Sequence, residues 1–349
     1  MTSHNSSASY SYMYYDDQEY NQTLLELLQQ HEKESPRAFI FAVLMTILSA
    51  IFNTGITIAI LFTPTLRQNI LYIQIINISV VNIILSGFVI PLAIYAEHRP
   101  WTLGDAMCKV WIIMDVLMPF VSMVSLVLMN LDRLFVLICN NSHMLTMNSM
   151  VKVFLVLVPW SVGCVIVLPI WILGSNHYPY YDGYCIFGLV FDASVASPII
   201  TYFVPAVGII LLITLILMYN FKGNLAEQNM YSSPSRSIDC HHRTDSTSSY
   251  DEEKYLSLVT LCLADFFFIA MWFPYQLFTL LMSICTGCYP PVSAAVAFTW
   301  LGASTACVLP LTWLSDVKIR ESIRTFLHDR CTQEVSDLRE RNSVPLMEL

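Results

Sequence analysis

Residues 110–137 read VWIIMDVLMPFVSMVSLVLMNLDRLFVL. The first twenty of them hold one charge, Asp115, and the run then closes on the pair Asp132-Arg133. A stretch of ~20 apolar residues is enough to cross a bilayer as a helix. Similar runs recur along the chain, and seven spans are expected at about 38–62, 70–95, 107–138, 153–174, 193–220, 255–285 and 291–315. Five of the seven have no Asp, Glu, Lys or Arg in their cores, so burial within one soluble core is a poor alternative. The 349 residues are 56% hydrophobic and only 12% charged, roughly half the charge of an ordinary soluble domain. The runs are too long, and alternate too little, for a β-barrel. The expected fold is an all-α membrane protein, a seven-transmembrane helix bundle.

Lys and Arg set the orientation. With the N-terminus outside, the outer segments hold Lys33, Arg37, Arg99 and Lys109, and the other thirteen basic residues lie inside. The expected topology is therefore multi-pass, with the N-terminus outside and the C-terminus inside. The first 37 residues are polar, with no short apolar segment of the signal-peptide kind. The first span is then expected to act as its own insertion signal. Asn5 and Asn21 stand in accessible glycosylation sequons in that orientation.

The expected organisation is an outer tail at 1–37, a membrane domain at 38–315, an amphipathic helix at 316–331 and an inner tail at 332–349. The long connection at 221–253 carries SSPSRS and RTDSTSSYDEE. It reads either as a solvated linker or as a phosphorylation cluster that adds negative charge and recruits a partner. Beyond Pro310, Ile319, Ile323, Phe326 and Leu327 share one helical face, flanked by Lys318, Arg320 and Arg324. That pattern suits a short helix lying on membrane lipid, followed by Cys331 as a palmitoylation candidate. No pair of matching interrupted helices of the transporter kind is visible.

The spacing of landmarks over 38–331 resembles a rhodopsin-like (class A) G-protein-coupled receptor. Those landmarks are Asn53, Pro91, Trp101-x-Leu-Gly104, Cys108, Asp115, Asp132-Arg133, Trp160, Cys185, Pro205, Phe268, Trp272-Phe-Pro274, Trp300 and Pro310. Within that family the chain looks most like the biogenic-amine branch. The resemblance implies a disulfide between Cys108 and Cys185, and a heterotrimeric G protein as partner. It also implies an Asp132-Arg133 ion pair that restrains Arg133 until activation. The other reading of that pair is two interfacial charges that snorkel to water.

Asp115 lies ~10 Å along the helix from Cys108, and an acid at that depth is a functional candidate by default. The resemblance makes it the counter-ion of a small cationic ligand. Its structural alternative is a carboxyl hydrogen-bonded between helices. Trp272, Tyr275 and Trp300 would add cation–π contact, while Gln276, Ser197 and Thr201 would hydrogen-bond the ligand's far end. Val116, Thr299 and Ala303 stand where an acetylcholine receptor would have Tyr, which argues against acetylcholine. Cys285 and Cys288 are expected to close a small-loop disulfide rather than a metal site.

Several switch positions depart from the family. Asn82 replaces an acid, Leu309 and Trp313 replace the Asn and Tyr around Pro310, and Ile213 replaces a Tyr. The resemblance then implies lost sodium regulation and altered basal signalling. Asp265 has no counterpart in the pattern. An enzyme is not expected, since no catalytic constellation is present, and neither a cofactor nor a nucleic-acid partner is called for. The rival readings are a non-coupling decoy or heteromer partner, and, less well supported, a transporter or channel.

Overall fold

The computed structural model describes residues 36–139, 149–176, 185, 188–231, 244–285 and 292–342. Among them, seven helices are long and apolar enough to cross a membrane. Each begins and ends within three residues of the expected span, because the apolar runs leave the backbone no option in lipid but to bond to itself. Helix α1 is Pro36–Phe62. Helix α2 runs from Ile70–Ile84 through a π-turn, Leu85–Val89, into Ile90–His98. Helices α3 and α4 are Gly104–Cys139 and Ser149–Gly174. Helix α5 joins Phe191–Pro198, a second π-turn at Ile199–Phe203, and Val204–Tyr231. Helix α6 is Thr244–Ile284. Helix α7 comprises Val292–Ala303 and Thr305–Trp313, and the terminal helix α8 is Val317–Asn342.

Proline chemistry explains the irregularities. Each π-turn ends two residues before a proline, Pro91 or Pro205. A proline ring clashes with the carbonyl four residues back and offers no N–H to it. The chain accommodates this with one wider turn: the Ile90 N–H donates to Leu85 O, and the Val204 N–H to Ile199 O. Elsewhere a neighbouring helix supplies the missing donor. Pro159 leaves the Leu155 carbonyl free, and Gln74 of α2 donates to it at 3.0 Å. Pro310 leaves the Ala306 carbonyl free, and Asn53 and Ser49 of α1 donate to it at 2.8 and 3.1 Å.

Helix α3 is the central element, packed against α2, α4 and α5, while α7 bridges α1 and α6. One apolar core runs through Met123, Leu126, Phe268, Trp272 and Trp313, and a second lies between α2, α3 and α4. Large apolar side chains such as Ile51, Phe154, Val165, Leu211 and Phe266 face outward, as a hydrocarbon solvent permits. A two-stranded antiparallel pair, β1 (Ser175–Asn176) and β2 (Gly188–Leu189), lies between α4 and α5. The sequence did not signal it, since two-residue strands are too short to alternate. Gly174 precedes β1 where a Cβ would stand 2.4 Å from the Ala193 Cβ, so only glycine admits the start of α5 there.

Helix α8 is anchored in the protein more firmly than its amphipathic pattern implied. Ile319 is fully buried in the main core, and only Leu327 of the four apolar positions is strongly exposed. Asp316 accepts from the Lys318 and Ile319 N–H groups and from the Tyr72 hydroxyl, capping the helix and tying it to α2. Burial pushes the Asp316 carboxyl above its ordinary pKa, and those hydrogen bonds oppose the shift. Ser322 donates to Ala59 O, and Phe326 packs on Phe62 with ring centroids 5.4 Å apart.

Candidate functional site

The Cys108–Cys185 disulfide fastens the top of α3 to the segment between the two short strands, with Cα atoms 5.6 Å apart. Cys285 is also held in a disulfide; Cys288, Asn5 and Asn21 lie outside the described residues, as does the side chain of Cys331. Gly104, at φ +79°, makes the turn into α3, and its carbonyl accepts from the Trp101 indole at 3.0 Å.

Two turns below Cys108, Asp115 is partly buried. No hydrogen bond reaches its carboxylate from the described residues, so its oxygens are available as acceptors. Across the bundle on α6, the Tyr275 phenol feels the Asp115 charge. Tyr275 meets Trp272 edge-on at 5.9 Å, and Trp272 leans on Phe268 at 6.4 Å. The Trp272 indole donates to Thr305 Oγ1 at 3.1 Å. Gly302 lies against that indole so closely that a Cβ would approach it to 2.8 Å. Thus α6 and α7 hold two aromatic rings together, and one of them, Tyr275, lies within electrostatic reach of the Asp115 carboxyl on α3. Gln276 and Trp300 are partly buried on α6 and α7, and Ser197 and Thr201 are buried on α5. The Thr201 hydroxyl donates to Ser197 O at 2.7 Å, so toward a ligand it offers only lone pairs.

Below this level a neutral polar cluster joins α1, α2 and α7. Asn82 donates to Asn53 Oδ1 at 3.0 Å, and Ser86 donates to Ser49 Oγ at 2.5 Å and to Asn82 O at 2.6 Å. Asn82 therefore presents N–H donors where an acid would present a negative charge. Leu309 and Trp313 are fully buried, and the Trp313 indole N–H has no hydrogen-bond partner among the described residues. Ile213 packs against the same core.

The half of the bundle away from the Cys108–Cys185 disulfide holds a pairing that sequence reasoning missed. Asn130 of α3 donates to Leu126 O and to Asp265 Oδ2 of α6, each at 2.9 Å. Both side chains are fully buried, and Asn130 Oδ1 and Asp265 Oδ1 have no hydrogen-bond partner among the described residues. Just beyond, Asp132 and Arg133 are partly buried and interact electrostatically with each other. The available signal for the Asn130 pairing was Asp265 itself, an unexplained acid in an apolar span.

The sequence profile of the family described as 7 transmembrane receptor (rhodopsin family) matches residues 52–313. The chain belongs to that family. It is a multi-pass membrane protein of a receptor family rather than an enzyme family. Among curated relatives, the D(1B) dopamine receptor of Xenopus laevis is 21% identical over 308 residues, covering 79% of this chain and 66% of that receptor. The alpha-1A adrenergic receptor of Oryzias latipes is 21% identical over 291 residues, covering 76% of this chain and 61% of that receptor. The matched region thus spans just under two thirds of each relative's own length.

Proposed function

We propose that this protein is a cell-surface receptor for a small cationic amine that signals through a heterotrimeric G protein. The carrying observation is Asp115: a carboxylate inside the bundle, unclaimed by any hydrogen bond from the described residues and within electrostatic reach of Tyr275, which meets Trp272 edge-on. A charge with little water around it attracts a cation more strongly than one in bulk solvent. Two distant relatives are receptors named for dopamine and for adrenergic ligands, which supports the amine class without choosing among amines. Trp300, Gln276, Ser197 and Thr201 complete the proposed ligand set. The disulfide at the Cys108 end suits an oxidising exterior, in line with the excess of Lys and Arg at the other end. Ligand binding would move Trp272 and α6, part the inner ends of α3 and α6, and expose Arg133 to the G protein. Glycans on Asn5 and Asn21, a palmitoyl group on Cys331, and kinase or arrestin docking at 221–253 belong to the same reading.

A second reading is favoured by the apolar inner switch. Leu309, Trp313 and Ile213 supply packing where relatives supply hydrogen bonds, which suits a receptor that signals without ligand or couples to nothing. The deciding test is G-protein activation in transfected cells, unstimulated and across a monoamine panel, with Asp115→Asn and Arg133→Ala beside wild type. A response to one amine that Asp115→Asn abolishes supports the amine receptor. Basal activity lost only in Arg133→Ala supports ligand-independent signalling. Silence of all three at confirmed surface expression supports the non-coupling form.

A further inference from the structure

Prolines inside these helices leave carbonyls in need of a donor, and the bundle meets several of them from a neighbouring helix. Gln74 serves the carbonyl opened by Pro159, and Asn53 with Ser49 the one opened by Pro310. Pro198 on α5 repeats the arrangement: it leaves the Ser194 carbonyl open, and Ser283 of α6 donates to it at 3.2 Å. Pro119 on α3 breaks the pattern. Helix α3 passes it without a π-turn, and its ring nitrogen has no hydrogen for the carbonyl four residues back. That carbonyl belongs to Asp115. No side chain among the described residues donates to it.

The open carbonyl does not face lipid. Asp115, Pro119, Met123, Leu126 and Asn130 succeed one another at helical spacing and form one stripe along α3. Met123 and Leu126 are fully buried in the core that holds Phe268 and Trp272 of α6. Asn130 bonds Asp265 of α6, and the Asp115 charge reaches Tyr275 of α6. Pro119 is itself buried. The stripe therefore faces α6, and Asp115 brings two kinds of unclaimed oxygen to it, a carboxylate and a backbone carbonyl. Both hang from one residue, joined only through Cα and Cβ. Two N–H bonds of one tetrahedral ammonium, each reaching an oxygen ~2.9 Å away, span acceptors about 4–5 Å apart.

We propose, resting on the amine-receptor reading, that Asp115 takes an ammonium group through its carboxylate and its own backbone carbonyl together, so that the site selects primary and secondary amines over tertiary and quaternary ones. A primary or secondary ammonium carries at least two N–H groups, one for each acceptor. A tertiary ammonium carries one, which goes to the carboxylate, and the carbonyl is then shut away from water without a donor. A quaternary ammonium carries none. Pro119 is a positioning residue in this scheme: it acts by withholding a hydrogen from the carbonyl, which an ordinary residue at the same place would supply.

The test uses the full chain purified in detergent and isothermal titration with dopamine, tyramine, tryptamine and histamine, each with none, one, two and three methyl groups on the amine nitrogen. In the series that binds, the first methyl group should change affinity little and the second should lower it by about tenfold or more. Pro119→Ala returns an N–H to the Asp115 carbonyl and keeps the carboxylate, so the break at the second methyl group should vanish. Pro169→Ala removes a proline from the exposed face of α4 and should leave the break as in wild type. Asp115→Asn should weaken every member. The proposal is overturned if the first and second methyl groups cost the same, or if the break survives in Pro119→Ala; the wild-type series decides alone should that variant not fold. Binding that depends on Asp115 but shows no break sinks this proposal and leaves the amine reading standing. Binding of no series, or binding indifferent to Asp115→Asn, sinks the amine reading and the proposal with it.

Discussion

Replacing Asn130 with alanine should release α6 from α3. Asn130 supplies the hydrogen bond that Asp265 receives from the described residues, and both groups are fully buried. Removing one partner leaves the other desolvated and unpaired, a penalty of about 1–3 kcal/mol. That penalty applies only to the packing in which Asp265 is buried against α3. It disappears when the inner end of α6 moves outward and Asp265 meets water or a new donor. The balance between the two packings should therefore move toward the open one by roughly fivefold to a hundredfold. Two readouts check this: the distance between probes on the inner ends of α3 and α6, and basal G-protein activation. Asp265→Asn is the control, because an amide can still exchange a hydrogen bond with Asn130; it should leave the distance close to that of wild type. The reasoning fails if Asn130→Ala leaves the distance unchanged. It also fails if Asp265→Asn opens the bundle as much as Asn130→Ala does.

Three further outcomes are expected. Gly302→Ala would place a methyl group 2.8 Å from the Trp272 ring, an overpacking cost of about 1–3 kcal/mol; the melting temperature of purified protein should fall, and an aromatic-region spectrum should report the displaced indole. Replacing sodium with potassium should leave thermal stability unchanged, because Asn82 turns N–H donors toward Asn53; Asn82→Asp should introduce a sodium-dependent rise. Gln74→Leu would strand the Leu155 carbonyl that Pro159 leaves open, lowering stability by about 1–3 kcal/mol, measurable as a lower melting temperature with no change in surface charge.

The bundle was legible because a span announces itself: residues 110–129 carry one charge, and lipid demands that such a run close its own hydrogen bonds. Asp115 was legible for the same reason, as an acid where acids are costly. Its neighbours were named only through resemblance; Tyr275 comes within electrostatic reach of it, with Trp272 against Tyr275, by packing that no single helix encodes. Asn130 and Asp265 were each visible, but 135 residues separate them, and their meeting depends on the rotational phase of two helices about their own axes. The Gln74–Leu155 contact was closer to reach. Pro159 predicts an open carbonyl at Leu155, and a polar side chain in a neighbouring apolar span is the natural donor. The depth of α8 was misjudged because an apolar stripe reads alike whether it faces lipid or protein. Asp316 and Tyr72, which decide the matter, lie outside the stripe.

The prolines of α4 and α7 also bear on how this chain is made. Leu155 and Ala306 carry carbonyls that their own helices cannot satisfy, and the donors sit on Gln74, Ser49 and Asn53, on α2 and α1. Alone in hydrocarbon, either helix would carry a stranded polar group. The first two helices are synthesised earlier and hold the donors ready. The growing chain thus acquires a direction of assembly, in which α1 and α2 form the template, α4 is received onto it, and α7, emerging last, seals the ring by docking back on α1. A nascent chain released before α7 would keep Asn53 and Ser49 without the Ala306 carbonyl they meet in the finished bundle.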